Sequence, residues 1–377
     1  MRIAFVRQKY TPYGGAERFV ERAMAALRTQ GTDVSIIARK WRNAPGGPPI
    51  LPCQPFHLGR TWRDWSFARC VQKIIAEGRF DLVQSHERIP GCHIYRAGDG
   101  VHATWLELRD RARGGLSQLG NLLSPWHGYT LAAEAATYRH PNLKAVICNS
   151  TMVRDDIMHR FGLPEEMLHV IYNGVDLEYF HPGLRDIHRE RVRAELGIAE
   201  ETPVILFVGS GFERKGVPVL LQALARMDRD DAVLLVVGRD GRKQRMKNLA
   251  AQLGVAHRVI FLGGQKDVRS HLGCADMFCL PTLYDPMPNA AMEALACGLP
   301  VIASTTCGAA ELIEPGVNGY VCDAHDPYGL AHYLDSLSTG TRHFPAAARA
   351  TAEKLGLDAM ATRLGELYRQ LAPAAPV

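Results

Sequence analysis

The sequence predicts an α/β protein built as two similar halves, each a mostly parallel sheet with helices on both faces. Three observations carry this expectation. Short apolar runs of strand type alternate with helical stretches; the alternation begins again after Tyr172-Asn173-Gly174-Val175-Asp176; and 377 residues exceed what one core usually holds. Apolar residues make up 47% and charged residues 22%, which excludes a disordered chain.

In the first half, residues 2–6 read as a short buried strand. The turn-forming Thr11-Pro12-Tyr13-Gly14-Gly15 follows, and then a helix with Phe19, Ala23, Met24 and Leu27 on one face. Residues 32–38, 80–84, 92–95 and 145–148 are further strands, with helical stretches around 64–77 and 127–139. The Gly/Pro-rich segment 43–55 reads as loop.

The second half repeats the pattern. Residues 204–208, 232–237, 259–262, 277–280 and 301–303 are strands; 216–227, 243–253 and 289–297 are helices, with a helical segment at 309–312. Residues 343–370 form two Ala/Leu-rich helical runs whose amphipathic faces need a partner. The domains therefore divide as 1–172 and 173–342, with a C-terminal helical segment 343–377 that could pack on either or cross back to the first.

The net charge of +5 is uneven. Residues 1–172 hold 23 Lys/Arg against 15 Asp/Glu, a net of +8, while 173–377 hold 21 against 24, a net of −3. A basic half suits an anionic membrane surface, an acidic or phosphorylated substrate, or nucleic acid. Nucleic acid is not expected, because the aromatics form no stacking platform and no recognition motif is present. The opening apolar run spans only four residues between Arg2 and Arg7 and no run reaches 18, so cytoplasmic residence is the expectation. Nine cysteines fall singly, with no C-x-x-C and no histidines at metal spacing. Buried thiols, rather than disulfides or zinc, are expected.

Two motifs in the second half carry chemistry. The strand 204–208 runs into Gly209-Ser210-Gly211-Phe212-Glu213-Arg214-Lys215-Gly216 and a helix follows at once. Glycines there let backbone approach a phosphate, and the helix start adds partial positive charge. Arg214 and Lys215 oppose that dipole unless an anion is bound, so a diphosphate is the natural guest. The spacing is not that of a P-loop. The second motif runs from Tyr284 through Asp285, Pro286, Pro288, Asn289 and Glu293 to Gly298-Leu299-Pro300. It places one carboxylate before a small-residue helix and one inside it. A carboxylate can accept two adjacent hydroxyls, so Asp285 could hold a sugar and Glu293 a ribose, beside the early amides around Asn289.

Together these residues resemble the retaining glycosyltransferases of family 4, which have the GT-B fold: two Rossmann-like domains whose parallel sheets face across a cleft. That family's carboxylate, seven intervening residues, glutamate and Gly-x-Pro correspond to Asp285, Glu293 and Gly298-Leu299-Pro300. Its diphosphate loop corresponds to 209–216, its first glycine loop to Gly14-Gly15, and its interdomain turn to Asn173-Gly174-Val175-Asp176. The family usually has Glu where this chain has Asp285, one methylene shorter, so the sugar sits closer or is reached through water.

Within that family the chain is most similar to the glucosyltransferases of the lipopolysaccharide inner core. The likeness rests on Lys9-Tyr10, Arg88-Ile89-Pro90-Gly91, Tyr95, Ala97-Gly98-Asp99, Phe212-Glu213-Arg214-Lys215-Gly216 and Val236-Val237-Gly238-Arg239-Asp240. The resemblance implies UDP-glucose as donor, no cofactor, and a phosphorylated or lipid-linked saccharide, a core heptose, as acceptor. It leaves GDP-mannose or UDP-N-acetylglucosamine with another acceptor as the alternative. Asp99 corresponds to the proposed catalytic carboxylate, and His102 is its rival. Arg214, Lys215 and helix-start amides would stabilise charge on the departing diphosphate without a metal. The run Arg109-Asp110-Arg111-Ala112-Arg113-Gly114, with Trp105, Leu106, Leu108, Leu116 and Trp126 nearby, could lean on an anionic membrane or contact acceptor phosphates, consistent with a peripheral position on the inner face of the cytoplasmic membrane.

Overall fold

A computed structural model describes residues 1–9, 24, 27, 31–41, 47–113, 124–339 and 344–371. The chain forms two compact units, Met1–Gly174 with Asp358–Val377, and Val175–Leu357.

The first unit holds a seven-stranded parallel sheet made of β1 (Arg2–Lys9), β2 (Asp33–Lys40), β3 (Ile50–Pro52), β4 (Leu82–Ser85), β5 (Ile94–Arg96), β6 (Ala145–Cys148) and β7 (Leu168–Val170). Its order is β3-β2-β1-β4-β5-β6-β7, so the winding reverses between β1 and β4. Ile3, Ala4, Phe5 and Val6 are all buried, because helices cover both faces of the strand. Among the described residues its helices include α1 (Gly59–Ala76), α2 (His102–Arg113), α3 (Pro125–Tyr138) and α4 (Thr151–Phe161). Local signals set α4: the Ser150 hydroxyl accepts from Val153 N at its start (3.2 Å), and Gly162 closes it in the left-handed region.

The second unit is a six-stranded parallel sheet of β8 (Val204–Val208), β9 (Val233–Val237), β10 (Val259–Gly263), β11 (Met277–Leu280), β12 (Val301–Ser304) and β13 (Gly319–Cys322). The order β10-β9-β8-β11-β12-β13 puts its reversal between β8 and β11. Open parallel sheets bind ligands beyond the carboxyl ends of their strands at such a reversal. The helices are α5 (Leu184–Leu196), α6 (Val217–Leu224), α7 (Lys243–Gln252), α8 (Arg269–Cys274), α9 (Asn289–Ala296), α10 (Pro327–Ser338) and α11 (Phe344–Glu353). The last helix, α12 (Leu357–Leu371), sends Met360, Leu364, Leu367 and Tyr368 into the core around Ile3, Phe5 and Val34. The Tyr368 hydroxyl donates to Gln84 Oε1 on β4 (2.6 Å).

Two expectations need correction. Residues 50–52, read as part of a loop, form the edge strand β3, whose three residues are too few to show a period. Cys53 and Cys70, read as thiols, form a disulfide. The end of β3 and the body of α1 bring their Cα atoms to 6.1 Å, a proximity that a sequence separation of 17 does not reveal. The other seven cysteines are buried thiols.

Candidate active site

The two motifs of the second unit meet at its reversal point. The loop after β8 carries Gly209, Arg214 and Lys215, and the loop after β11 carries Asp285; the Leu283 amide donates to the Arg214 carbonyl (2.8 Å), stitching the two together. Gly216 starts α6 in the left-handed region, and a Cβ there would run into the Pro281 carbonyl. Gly238, after β9, packs as tightly against the Gly209 carbonyl. Asp240 fastens the third loop: its Oδ2 accepts from Phe212 N and its Oδ1 from Arg242 N, both at 2.6 Å.

On this frame Lys215 Nζ pairs with Asp285 Oδ2, with both side chains largely buried. Arg214 Nη1 donates to the Tyr284 carbonyl (2.8 Å) and stands 3.9 Å from the same carboxylate oxygen. The lysine stem lies over Gly209, where a Cβ would sit 3.5 Å from Lys215 Cδ. Helix α9 begins four residues after Asp285. Pro288 caps it without a side-chain acceptor, Asn289 is its first residue, and Glu293 is buried in its second turn. Two cations, one carboxylate and a helix start thus share one place, fit to receive a diphosphate and the hydroxyls next to it. Neighbouring Glu213 is occupied by Arg242 and Arg245.

In the first unit, β5 ends in a turn closed by Gly100 N donating to the Ala97 carbonyl (3.1 Å), with Asp99 exposed within it. Arg88 reaches this turn from one side, donating to the Gly100 carbonyl (3.0 Å) and pairing with Glu134 Oε1 (2.8 Å). Arg96 is buried on the other side and donates to Asn173 Oδ1; burial, with Arg7 nearby, pushes its guanidinium down to about 10. Gly98 allows this, because a Cβ there would collide with Arg96 Nη1.

His102, first residue of α2, is buried. Both Glu134 carboxylate oxygens accept from its backbone amide (2.9 and 3.0 Å). Its Nε2 lies 3.0 Å from His127 Nδ1, and His127 Nε2 lies 3.4 Å from Arg109 Nη1. Arginine can only donate, so the network assigns His127 Nε2 as acceptor and its Nδ1 as donor to His102 Nε2, leaving the His102 proton on Nδ1. Burial, then Arg88, His127, Arg109 and Arg60, push His102 down to about 3. It is a neutral ring whose basic nitrogen is already engaged.

Gly14 and Gly15 lie outside the described residues, as do Leu116 and the Arg113 side chain. Arg109 is not displayed as a surface cation: it is largely buried between Asp110 and His127. Among the described residues no group of three or more His, Cys, Asp or Glu could hold a metal ion. The chain's Asp-x-Asp, Asp228-Arg229-Asp230, lies after α6, where the Asp228 and Arg229 amides donate to Asp335 (3.0 and 3.2 Å).

Residues 13–179 match the family model described as Glycosyltransferase Family 4, and residues 188–354 the model described as Glycosyl transferases group 1. A D-inositol 3-phosphate glycosyltransferase of Mycobacterium sp. (strain KMS) is 30% identical over 360 residues, covering 86% of this chain and 77% of that protein. The chain belongs to the GT-B glycosyltransferases. The lipopolysaccharide glucosyltransferase WaaG of Escherichia coli (strain K12) is 28% identical over 329 residues, with 85% of each chain covered. A crystal structure of WaaG, a glycosyltransferase involved in lipopolysaccharide biosynthesis, superposes with a TM-score of 0.81 at 25% identity, covering 97% of this chain and 99% of that one.

In this glycosyltransferase Glu134, the buried carboxylate that holds both Arg88 and the start of α2, was not among the residues expected from the sequence. A single charge inside the small-residue run Leu131-Ala132-Ala133-Glu134-Ala135-Ala136 was the available signal. His127, whose ring sets the tautomer of His102, was likewise not expected from the sequence.

Proposed function

We propose that this glycosyltransferase moves a hexosyl group, glucose, from UDP-glucose to a heptose of a lipopolysaccharide core, with retention and without a metal. The observation that carries the proposal is the Lys215–Asp285 pair beside Arg214 at the β8–β11 reversal. The anomeric C–O bond breaks with its electron pair going to the β-phosphate, and Arg214, Lys215 and the α9 amides meet that growing charge. Asp285 accepts from sugar hydroxyls and Glu293 from ribose hydroxyls. The acceptor oxygen attacks the face that the nucleotide leaves, and its proton passes to the released phosphate. Asp99 orients the acceptor hydroxyl in preference to His102, because His102 Nε2 is taken by His127. The enzyme works in the cytoplasm, at the inner face of the membrane that carries a lipid-linked acceptor. Among the described residues no helix is long and apolar enough to cross a membrane.

A second reading is favoured by the D-inositol 3-phosphate relative: another donor, UDP-N-acetylglucosamine or GDP-mannose, and a small phosphorylated polyol as acceptor. One experiment tests both. The protein is incubated with each nucleotide sugar and with truncated lipopolysaccharide cores or phosphorylated polyols. The product mass identifies donor and acceptor, and its anomeric coupling constant reports retention. Glucose added to the core supports the first reading; transfer only to the polyol replaces it with the second.

A further inference from the structure

Most exposed large apolar side chains of the described residues are scattered singly, but Phe56, Leu58, Trp62 and Trp65 fall within ten residues at the start of α1. Phe56 is 71% exposed, and its ring meets Trp62 edge-on at 5.6 Å. By the 3.6-residue period Leu58, Trp62, Trp65, Arg69 and Lys73 share one stripe. The opposite face, Phe67, Ala68 and Val71, is buried in the sheet's core, so the helix is anchored with its stripe outward.

The stripe's charge is of one sign. Helix α1 carries Arg60, Arg63, Arg69 and Lys73 against one acid, Asp64, which is engaged by Arg63 and by Gln8 and Trp126 (3.0 and 2.8 Å). Arg60 stacks over the Trp126 ring at 3.4 Å, fixing a cation beside the aromatic end. Tryptophans with an apolar body and a polar N–H, flanked by lysine and arginine, suit the headgroup boundary of a bilayer. A second copy of the chain would bring the same positive charge to the interface, which opposes self-association here.

We propose that this outward stripe of α1, Phe56, Leu58, Trp62 and Trp65 with Arg69 and Lys73, is the surface by which the protein lies on an anionic phospholipid bilayer. This stripe is distinct from the Arg109–Arg113 run, of which Arg109 is largely buried and Arg111 exposed. The proposal rests on the membrane-side part of the proposed function and needs neither donor nor acceptor identity.

The test is flotation of the full chain, without substrates, with vesicles of phosphatidylcholine alone or with about 30% phosphatidylglycerol. Binding to the anionic vesicles that weakens with added salt is expected. The double variant Trp62→Ser with Trp65→Ser should lower partitioning about tenfold or more while keeping the parental melting temperature. Arg69→Glu with Lys73→Glu should remove the preference for phosphatidylglycerol, and Arg111→Ser should change little. Three results overturn the proposal: a parent that does not float, tryptophan variants that float like the parent, or a parental dimer that the tryptophan variants dissolve without losing vesicle binding. If glucosyl transfer is active in a protein that does not float, only this inference fails; if it floats and transfers nothing, only the catalytic reading fails.

Discussion

Lys215 and Asp285 come from loops 70 residues apart, and each neutralises the other's charge in a largely buried position. On the proposed function, donor binding would exchange partners, the lysine turning to the diphosphate as the aspartate turns to the sugar. Arg214, more exposed and tied to a carbonyl, makes no such exchange. Arg214→Ala should lower turnover on the order of 10²–10³ with little change in melting. Lys215→Ala should cost similar turnover and also about 1–3 kcal/mol of stability, because it removes the nearer of the two cations that face buried Asp285. Initial rates and thermal melts on the same preparations check this, and equal melting of the two variants would count against the pair's burial.

Asp285 and Glu293 should separate in binding. Asp285→Asn should leave UDP affinity nearly unchanged and weaken the intact donor, whereas Glu293→Gln should weaken both, since UDP keeps the ribose. Each loss should be roughly 1.5–3 kcal/mol. Calorimetry with UDP and with UDP-glucose decides it; loss of UDP binding in Asp285→Asn alone would reverse the assignment.

Transfer should run at equal rates in EDTA and in magnesium if, as proposed, the charge on the leaving group is met by Arg214, Lys215 and amides. Loss of activity in EDTA that Mg²⁺ or Mn²⁺ restores would refute this.

His102 should make the fold acid-sensitive. Its folded value, about 3, lies below the ordinary histidine value of about 6.5. Between these the unfolded chain binds a proton that the folded one refuses, so this contribution to stability is complete above pH ~6.5 and is lost as pH falls toward 3. His102→Asn should reduce proton uptake on unfolding near pH 5 by about one proton. Denaturant titrations across that range measure it; an unchanged pH slope would mean that His102 titrates normally.

The Cys53–Cys70 bond predicts a thiol count. The denatured chain should show seven reactive thiols before reduction and nine after. Nine without reductant would show the pair to be reduced in the isolated protein.

Much of this was legible from local pattern. β8, β9 and β11 are continuous apolar runs, and the residues after β8 and β11 already had the composition of a phosphate site. The meeting of Lys215 with Asp285 was not legible, because it depends on β8 and β11 being neighbours in a sheet whose winding reverses there. β7 has three residues and no period to read. Glu134 and His127 act on His102 across sequence separations of 32 and 25, which only packing closes. The exposed tryptophans of α1 were unreadable for another reason: the same residues facing inward would have been ordinary core.

The packing of α12 beneath β1 and β4 has a consequence for biosynthesis. The first unit emerges from the ribosome before the residues that complete it, because Met360, Leu364, Leu367 and Tyr368 fill a core begun by Ile3 and Phe5. Until that last helix is synthesised, the nascent amino-terminal sheet holds an open apolar groove while the entire second unit can already close. The first unit therefore lacks part of its core until α12 is made, whereas the second unit has all its residues by then. A chain that stalls or is truncated short of α12 presents chaperones and proteases with an unfinished amino-terminal unit beside a finished carboxyl-terminal one.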